Sequence, residues 1–362
     1  MKILHIIGSF EQGGAETYTL RYCQYDKENR HYVLGVNGKP GDLSKEFAEH
    51  ATVIDNIKVG PMGQNWKWFF HFLKKEKIDS VWSVNGGLLL LVAKVAGVGT
   101  RLTFYRNSTT HIEHDPMHLR AMYLRMTYLL NPLISTNVLS NSFAAIRNYN
   151  PFLAKRKKGY EVIYNGIDLN HISKKGKEQV REELGLPKNA FVIGHSGRYH
   201  FAKNHEMIMK VAFALCKKFE DVYFVLIGKG VPEKYGIQVE KEGLSQRIVM
   251  LGYRKDVMDI LKALDLFYFP STTEGQPNAL IEAMLSGVPF VASDISAIKE
   301  TTPDDLHRQL VSCHDFEKNY DLIECLYHNK EKLIDLKCES WAKSHFDANK
   351  QFELFKKQLQ NE

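Results

Sequence analysis

The chain has few cysteines and no arrangement in which they could act together. Five cysteines are scattered through 362 residues, and no C-x-x-C pair occurs. An odd, unclustered set argues against a disulfide scaffold and against a cysteine zinc site. Free cysteines are typical of a reducing compartment, so we predict a cytoplasmic protein.

Long hydrophobic runs are also absent. The apolar stretch over residues 86–99 is interrupted by Lys94 and is shorter than the roughly 20 residues that a membrane-spanning helix needs. Residues 1–7 lack the charged leader and long apolar block of a secretory signal, and they are typical of a buried strand. We therefore predict neither a transmembrane helix nor a secretory leader.

Acidic residues do not balance the basic ones in the first half of the chain. Residues 1–170 contain 21 Lys and Arg against 14 Asp and Glu, whereas the remaining residues contain 27 against 28. A basic half is typical of proteins with an anionic partner, such as a membrane surface, a phospholipid-linked acceptor or a nucleic acid. A solvated face that aids solubility explains the same excess.

The sequence does contain a regular alternation of strands and helices. Its length exceeds the 250 to 300 residues or so at which a single core stops growing, so two domains are expected. Short β-branched runs alternate with amphipathic stretches in both halves, as in parallel sheets covered by helices. The polar stretch over residues 167–177 is the predicted linker, and a final helical segment is predicted over residues 338–359.

Two adjacent glycines, Gly13 and Gly14, lie between the first predicted strand and a helix. Glycines at such a turn let backbone N–H groups approach an anion at the helix N-terminus. Their spacing does not match the G-x-G-x-x-G dinucleotide fingerprint, and a tight turn without a ligand explains the pair equally well.

A basic pair follows the first predicted strand of the second half. Arg198 offers a planar fork for two phosphate oxygens, and Lys203 offers a mobile point charge. At the carboxyl end of a strand, the pair is suited to neutralise a diphosphate. Surface residues at the start of a helix are the alternative.

The most specific pattern covers residues 270–289. Pro277 suits the first turn of a helix and Gly287 its left-handed stop, so a helix is predicted from about Pro277 to Ser286. The combined placement of Gly, Pro and Glu in this block is difficult to explain by packing alone.

Two carboxylates flank the start of that helix. Glu274 lies in the preceding loop, and Glu282 shares a helix face with Asn278, four residues earlier.

In their order along the chain, these motifs resemble those of the retaining family 4 glycosyltransferases, which have the GT-B fold. The resemblance covers about residues 1–300, and it is diffuse in the first half and specific in the second. The motifs are GGAE at 13–16, NGID at 165–168, GR at 197–198 with KN at 203–204, GKG at 228–230, LGYRKDV at 251–257 and the block at 274–289.

The resemblance implies an α/β protein in which two Rossmann-like domains face one another across a cleft. It assigns residues 1–168 to an acceptor-side domain and residues 169–340 to a domain that binds the nucleotide sugar. Residues 341–362 would form a helix that packs back on the first domain.

The resemblance also implies a donor site. Arg198 and Lys203 would bind the diphosphate and stabilise the departing nucleotide, and the backbone at Gly14 would approach the same group. Glu274 would face the sugar near its anomeric carbon, and Glu282 would bind the ribose hydroxyls. The other implied donor-binding residues are Gly275, Gln276, Pro277, Asn278, Ala279 and Leu280 for the sugar hydroxyls and phosphate, and Tyr253 and Arg254 for the base.

The acceptor side departs from the family pattern. In many relatives, the strand that ends near Tyr105 leads into a histidine, whereas the nearest register here has Phe104 and Arg106. His111 follows a few residues later and is the candidate to assist the acceptor hydroxyl. An ordinary loop histidine is the alternative.

No Asp-x-Asp motif occurs in the chain. We therefore expect a reaction that needs neither a metal nor another cofactor, because Arg198 and Lys203 can neutralise the leaving group.

The apolar spacing over residues 117–131 leaves two interpretations open. Its leucine, methionine and tyrosine residues fit a core helix, and with Arg120 and Arg125 elsewhere on the wheel they also fit an interfacial helix.

The resemblance thus predicts a retaining hexosyl- or N-acetylhexosaminyltransferase. The donor would be a nucleotide diphosphate sugar, with a UDP-sugar favoured, and the acceptor a hydroxyl of a saccharide or of a lipid-linked saccharide in surface polysaccharide biosynthesis. The basic first half adds peripheral contact with the inner face of the membrane as a hypothesis. A nucleotide-sugar epimerase on a similar fold is the alternative enzyme, whereas a nucleic-acid partner is disfavoured because no recognised binding motif occurs.

Overall fold

The computed structural model describes residues 1–60, 63–106, 119–156 and 159–360, without the side chains of 119–124. The chain forms two compact units, one of Met1–Gly166 with Ala348–Glu362 and the other of Ile167–Asp347. Each unit contains a parallel sheet with helices, so the predicted α/β class is confirmed. The domain boundaries at residues 168 and 340 stay predictions.

The first unit contains a seven-stranded parallel sheet in the order β3-β2-β1-β4-β5-β6-β7. The order changes direction between β1 and β4, and ligands of such sheets bind outside the carboxyl ends of the strands at this kind of position. The strands are β1 (Lys2–Ile7), β2 (Arg30–Gly35), β3 (Thr52–Ile54), β4 (Ser80–Val84), β5 (Thr100–Tyr105), β6 (Asn137–Ser140) and β7 (Glu161–Val162).

The second unit contains a six-stranded parallel sheet in the order β10-β9-β8-β11-β12-β13. Here the order changes direction between β8 and β11. The strands are β8 (Phe191–Ser196), β9 (Val222–Ile227), β10 (Ile248–Gly252), β11 (Leu266–Phe269), β12 (Phe290–Ser293) and β13 (Leu310–Val311).

Helices connect the strands in both units. The helices are α1 (Gly14–Tyr25), α2 (Ser44–Ala48), α3 (Trp66–Glu76), α4 (Leu89–Val95), α5 (Leu119–Ile134), α6 (Phe143–Tyr149), α7 (Pro151–Arg156), α8 (Lys177–Glu183), α9 (His205–Lys218), α10 (Val231–Lys241), α11 (Val257–Leu261), α12 (Asn278–Leu285), α13 (Ser296–Thr301), α14 (Phe316–His328), α15 (Glu339–Phe346) and α16 (Ala348–Gln360). Within the described residues, no helix combines the length and the apolar character that crossing a bilayer requires.

Aromatic side chains bury the last helix against one face of the first sheet. The ring of Phe355 in α16 lies 4.8 Å from that of Tyr22 in α1 and 5.4 Å from that of Trp82 in β4, both edge to face. Such pairs add about 0.5 to 1.5 kcal/mol beyond the burial of their area. The helix α16 is therefore part of the first core.

The final helical segment, predicted over residues 338–359, consists of two helices, α15 and α16. Asp347 adopts an extended conformation, and the N–H of Ile167 donates to the carbonyl of Phe346 at 2.8 Å. Helix α15 thus ends in the second unit, and α16 begins at Ala348 in the first. The apolar spacing runs through the break, so the local sequence does not mark it.

Candidate functional site

Arg198 lies just beyond the carboxyl end of β8, on a loop that backbone hydrogen bonds hold in place. The N–H of Gly197 donates to the carbonyl of Ile227, and that of Tyr199 to the carbonyl of Lys229, both at 2.8 Å. The loop after β8 is therefore tied to the end of β9 and to the loop that follows it.

The side chain of Arg198 projects from this rigid base. It is exposed, and its guanidinium forms no hydrogen bond or ion pair with the part of the chain that the structure describes. An arginine with its donors available can hold two oxygens of a phosphate in a planar, bidentate arrangement.

Lys203 and Glu274 form an ion pair next to this loop. Lys203 Nζ lies 2.6 Å from Glu274 Oε1, and the two side chains are 22% and 10% exposed. The ammonium also lies 4.9 Å from the centre of the Phe269 ring at the end of β11. The structure thus brings together a residue predicted to bind the diphosphate and one predicted to face the sugar.

Asn204 fixes the segment that carries Lys203. Its backbone is left-handed, with φ of +54°, a conformation that asparagine tolerates better than most residues. Its amide nitrogen donates to the carbonyls of Pro270 at 3.1 Å and Cys313 at 2.9 Å. The loop after β11 is held against the same segment, because the N–H of Thr272 donates to the carbonyl of Ala202 at 2.9 Å.

Gly228 permits the close approach of two of these loops. A Cβ atom at this position would lie 2.0 Å from the carbonyl oxygen of Gly197, which is backbone and has little room to move. We expect Gly228→Ala to destabilise the protein by about 1 to 3 kcal/mol, since overpacking of this kind forces a backbone shift.

The matched control is Gly236→Ala in α10, where an added Cβ meets nothing within 4 Å. This variant should be neutral or more stable by roughly 0.5 to 1 kcal/mol, because alanine favours a helix interior. Urea denaturation of both variants measures the difference. Equal stability of the two would contradict the assigned role of Gly228.

The predicted helix after Glu274 forms as α12, one residue inside the expected bounds at each end. Pro277 is the N-cap, and its carbonyl accepts from the N–H groups of Leu280 and Ile281 at 3.0 and 3.1 Å. Gly287 follows with φ of +73°, as its predicted role in the left-handed stop requires.

The predicted donor residues divide by burial along this segment. Gln276, Pro277 and Leu280 are buried, so their side chains support the loop and the helix. The half-buried residues, whose side chains are in part accessible, are Glu274, Gly275, Asn278, Ala279 and Glu282.

Tyr253 and Arg254, predicted to lie near the base, are both exposed in the loop after β10. Arg254 already binds Asp256 through two nitrogens, with its Nε at 2.7 Å and its Nη2 at 2.5 Å from the carboxylate oxygens. The bonded guanidinium lowers the pKa of Asp256. Tyr253 therefore presents its ring to solvent beside a charge-neutral pair.

Known glycosyltransferases resemble this chain in sequence and in fold. The family model described as "Glycosyl transferases group 1" matches residues 176–341, the part of the chain that contains these loops. The capsular polysaccharide biosynthesis glycosyltransferase CapH of Staphylococcus aureus is 28% identical over 83% of each chain. The chain is a glycosyltransferase, and its residues 176–341 match group 1.

Two further comparisons extend over nearly the same length. A Campylobacter jejuni enzyme named as N-acetylgalactosamine-N,N'-diacetylbacillosaminyl-diphospho-undecaprenol 4-alpha-N-acetylgalactosaminyltransferase is 26% identical, over 83% of this chain and 82% of its own. The crystal structure of Anabaena HepE in complex with UDP has a TM-score of 0.82 and 21% identity over the whole of both chains. The predicted GT-B fold is confirmed.

In the first unit of this glycosyltransferase, Gly14 is the first residue of α1 and is exposed. A Cβ there would meet nothing within 4 Å, whereas a Cβ at Gly13 would lie 2.5 Å from Glu16 Oε2. Gly13 therefore makes room for the Glu16 carboxylate, which folds back over the start of α1. The open space at Gly14 suits its predicted role beside a ligand.

Sequence reasoning missed the buried cation beside this carboxylate. The guanidinium of Arg106, just after β5, lies over the Tyr18 ring at 3.5 Å and donates to Asn165 Oδ1. Its Nε and Nη1 are buried without a hydrogen-bond partner among the described residues. Burial lowers the pKa of Arg106 to about 10, and it raises the pKa of Glu16, which the Arg106 charge opposes. His111, the predicted acceptor-side residue, lies outside the described residues.

One buried group in the glycosyltransferase has the composition of a metal site. Among the described residues, the ligand atoms of His5, Cys23 and His31 lie within 4.8 Å of one another. The indole N–H of Trp82, which can only donate, binds His5 Nδ1. His5 Nε2 must then carry the proton that it shares with His31 Nδ1 at 2.9 Å, and His31 Nε2 donates to the carbonyl of Asp26 at 2.6 Å. All the imidazole nitrogens that could bind a metal are thus engaged in hydrogen bonds. The group therefore fits a hydrogen-bonded chain of two neutral imidazoles.

Buried histidines should make the protein sensitive to mild acid. Burial lowers the pKa of His5, His31, His195 and His205, the last to about 4. Below about pH 6.5 the unfolded chain binds protons that the folded chain does not, so the free energy of unfolding should fall by up to about 1.4 kcal/mol per pH unit for each histidine. Urea denaturation at pH 7.5, 6.5 and 5.5 measures how the free energy of unfolding changes with pH. A free energy of unfolding that does not fall between pH 7.5 and 5.5 would contradict the assignment of these histidines as neutral.

Proposed function

We propose that this glycosyltransferase transfers a sugar from a UDP-sugar to a hydroxyl of a lipid-linked saccharide, with retention of the anomeric configuration. The main support is the placement of Arg198 and of the Lys203–Glu274 pair after β8 and β11, where the order of the second sheet changes direction. Ligands of open α/β sheets bind outside the carboxyl ends at such positions.

The two cations fit the charge that develops on the leaving group. When the bond between the anomeric carbon and the diphosphate oxygen breaks, negative charge accumulates on the phosphate oxygens. Arg198 would bind two of these oxygens. Lys203 has three N–H donors, of which the bond to Glu274 uses one, so it can hold the carboxylate and a phosphate oxygen at the same time. We propose that these contacts replace a metal and that no cofactor is required.

Glu274 would lie beside the sugar while Lys203 holds it in place. A carboxylate in that position stabilises an oxocarbenium-like sugar electrostatically. The acceptor hydroxyl would attack from the face that the nucleotide leaves and pass its proton to the departing phosphate oxygen, so configuration is retained. Glu282, half-buried and four residues after Asn278 on α12, would bind the ribose hydroxyls.

The names of similar proteins support the classes of donor and acceptor. HepE was crystallised with UDP, and the Campylobacter jejuni enzyme is named for a diphospho-undecaprenol acceptor. CapH is named for capsular polysaccharide biosynthesis. We propose the same classes here, with a cytoplasmic protein whose basic first unit contacts the membrane that holds the acceptor.

The test is a screen of nucleotide sugars with and without a diphospho-polyprenyl saccharide, in buffer that contains a metal chelator. We expect transfer from a UDP-sugar, with an anomeric configuration in the product, measured by NMR, that matches the donor. Inversion would refute retention, and activity that chelator removes and Mg²⁺ restores would refute metal independence. A donor isomerised without acceptor would indicate the epimerase instead.

A further inference from the structure

Two neighbouring helices of the first unit expose large apolar side chains in regular rows. In α4 and in α5, the exposed residues recur at intervals of three or four, so each row runs along one face of its helix. Singly scattered apolar residues are normal on a surface, but contiguous ones indicate an interaction site. The residues are Leu91 and Val95 in α4 and Met126, Leu129 and Leu133 in α5.

The two rows adjoin one another. Lys94 Nζ donates to the carbonyl of Leu133 at 3.0 Å, which ties the outer side of α4 to the end of α5. The most exposed members of the two rows lie at this bond. Val95, 70% exposed, follows Lys94 in the chain, and Leu133, 69% exposed, provides the accepting carbonyl. We call the five exposed residues the α4–α5 surface.

The inner faces of the same helices already have a structural role. Leu90 and Ala93 of α4 and Ile134 of α5 are buried in the core cluster of the first sheet. The α4–α5 surface is therefore not needed to fold the unit. The two interpretations of residues 117–131 apply to different faces of one helix, which is a core helix on one side and has an exposed apolar row on the other.

The described charged side chains of α4 and α5 are basic. The two helices contain Lys94, Arg120 and Arg125 and no acidic residue. Lys74 in α3 adds to this side, because its Nζ lies 3.8 Å from the position of a Cβ on Gly97, just after α4. An apolar face with a basic border complements a bilayer of anionic lipids, which attracts each nearby Lys or Arg by about 1 kcal/mol.

We propose that the α4–α5 surface docks the protein on an anionic bilayer by shallow insertion of its apolar side chains. The role of this docking in catalysis rests on the proposed function, since a lipid-linked acceptor lies in such a bilayer. The binding itself is independent of catalysis. A second copy of the chain on the same surface is the competing outcome.

The experiment measures binding of the full chain to vesicles by flotation. Wild type should bind vesicles of phosphatidylcholine mixed with phosphatidylglycerol and should bind phosphatidylcholine alone more weakly. The double variant Leu129→Glu/Leu133→Glu should lose at least tenfold in affinity, because two exposed leucines that would insert into the bilayer are replaced by charges, which are costly to place in lipid. Arg125→Glu should weaken binding to the anionic vesicles only.

Matched controls come from the second unit and from the donor site. Ile237 and Ile334, 70% and 63% exposed, are changed to Glu in the same way and should bind vesicles like wild type. Arg198→Ala should also bind normally, so loss of catalysis and loss of docking are separable. Circular dichroism checks that each variant is folded.

Equal vesicle binding by wild type and by the Leu129→Glu/Leu133→Glu variant would overturn the proposal. So would a wild-type dimer, seen by analytical ultracentrifugation, that this variant converts to a monomer, since the surface would then bind a second copy. Loss of vesicle binding in the Ile237 and Ile334 variants as well would show nonspecific adsorption and would also overturn it.

Discussion

Replacement of Arg198 by alanine should lower kcat/KM by about 10²- to 10³-fold and leave the free energy of unfolding within about 0.5 kcal/mol of wild type. The reason for this separation is that the guanidinium is exposed and unbonded within the described chain, so the fold does not depend on it. In the proposed mechanism, its donors bind only the diphosphate. Steady-state kinetics and urea denaturation measure the two quantities.

The matched control is Arg308→Ala. Arg308 is another exposed arginine of the second unit, and it donates to the nearby carbonyl of Asp305 at 2.8 Å. This variant should keep both activity and stability. Near-normal turnover by Arg198→Ala would remove the assignment of the diphosphate site.

Replacement of Lys203 by alanine should lower kcat/KM by a similar factor but should also destabilise the protein, by roughly 1 to 3 kcal/mol. The stability loss follows because Glu274, only 10% exposed, would lose its cation. Glu274→Gln should lower kcat strongly, since an amide cannot stabilise positive charge on the sugar.

The double variant Lys203→Met/Glu274→Gln separates the two roles of the pair. Removing both charges should restore part of the stability that Lys203→Ala loses, because no unpaired charge remains. Activity should stay low in the double variant. Recovered activity together with recovered stability would mean that the pair is structural only, and a double-mutant cycle on unfolding gives the coupling directly.

The parallel strands of the second unit were predictable from the sequence because each is a short apolar run between turn residues. Strands β8 (Phe191–Ser196) and β9 (Val222–Ile227) are runs of this kind, as the predicted alternation of strands and helices requires. The left-handed backbone of Gly287 was predictable because glycine adopts this conformation at the end of a helix more readily than other residues. Two-residue β13 (Leu310–Val311) escaped prediction, since so short a run has no periodicity.

Contacts between distant segments were not predictable in this way. Lys203 and Glu274 are 71 residues apart, and their pairing depends on β8 and β11 being neighbours in the sheet. Arg106 drew attention only as a departure from the family pattern, since nothing in the local sequence indicates that its guanidinium is buried. The His5–His31 contact likewise depends on the register of β1 against β2.

The family resemblance supplied what local patterns could not. Composition and spacing indicated a phosphate site at Arg198 and two carboxylates around α12, but they did not identify a sugar nucleotide. The group 1 match over residues 176–341, the similar glycosyltransferases and the shared GT-B fold support the resemblance, and the roles of the individual residues stay predictions.

The central claim is that the loops after β8 and β11 bind the diphosphate of the donor without a metal. Calorimetric titration of UDP into the full chain, in buffer with a metal chelator, tests it most directly. Wild type and Arg308→Ala should bind equally, and Arg198→Ala should bind at least tenfold more weakly, the effect of losing one charge-assisted contact of about 1.5 to 3 kcal/mol. No binding by wild type in chelator, or equal binding by Arg198→Ala, would contradict the claim.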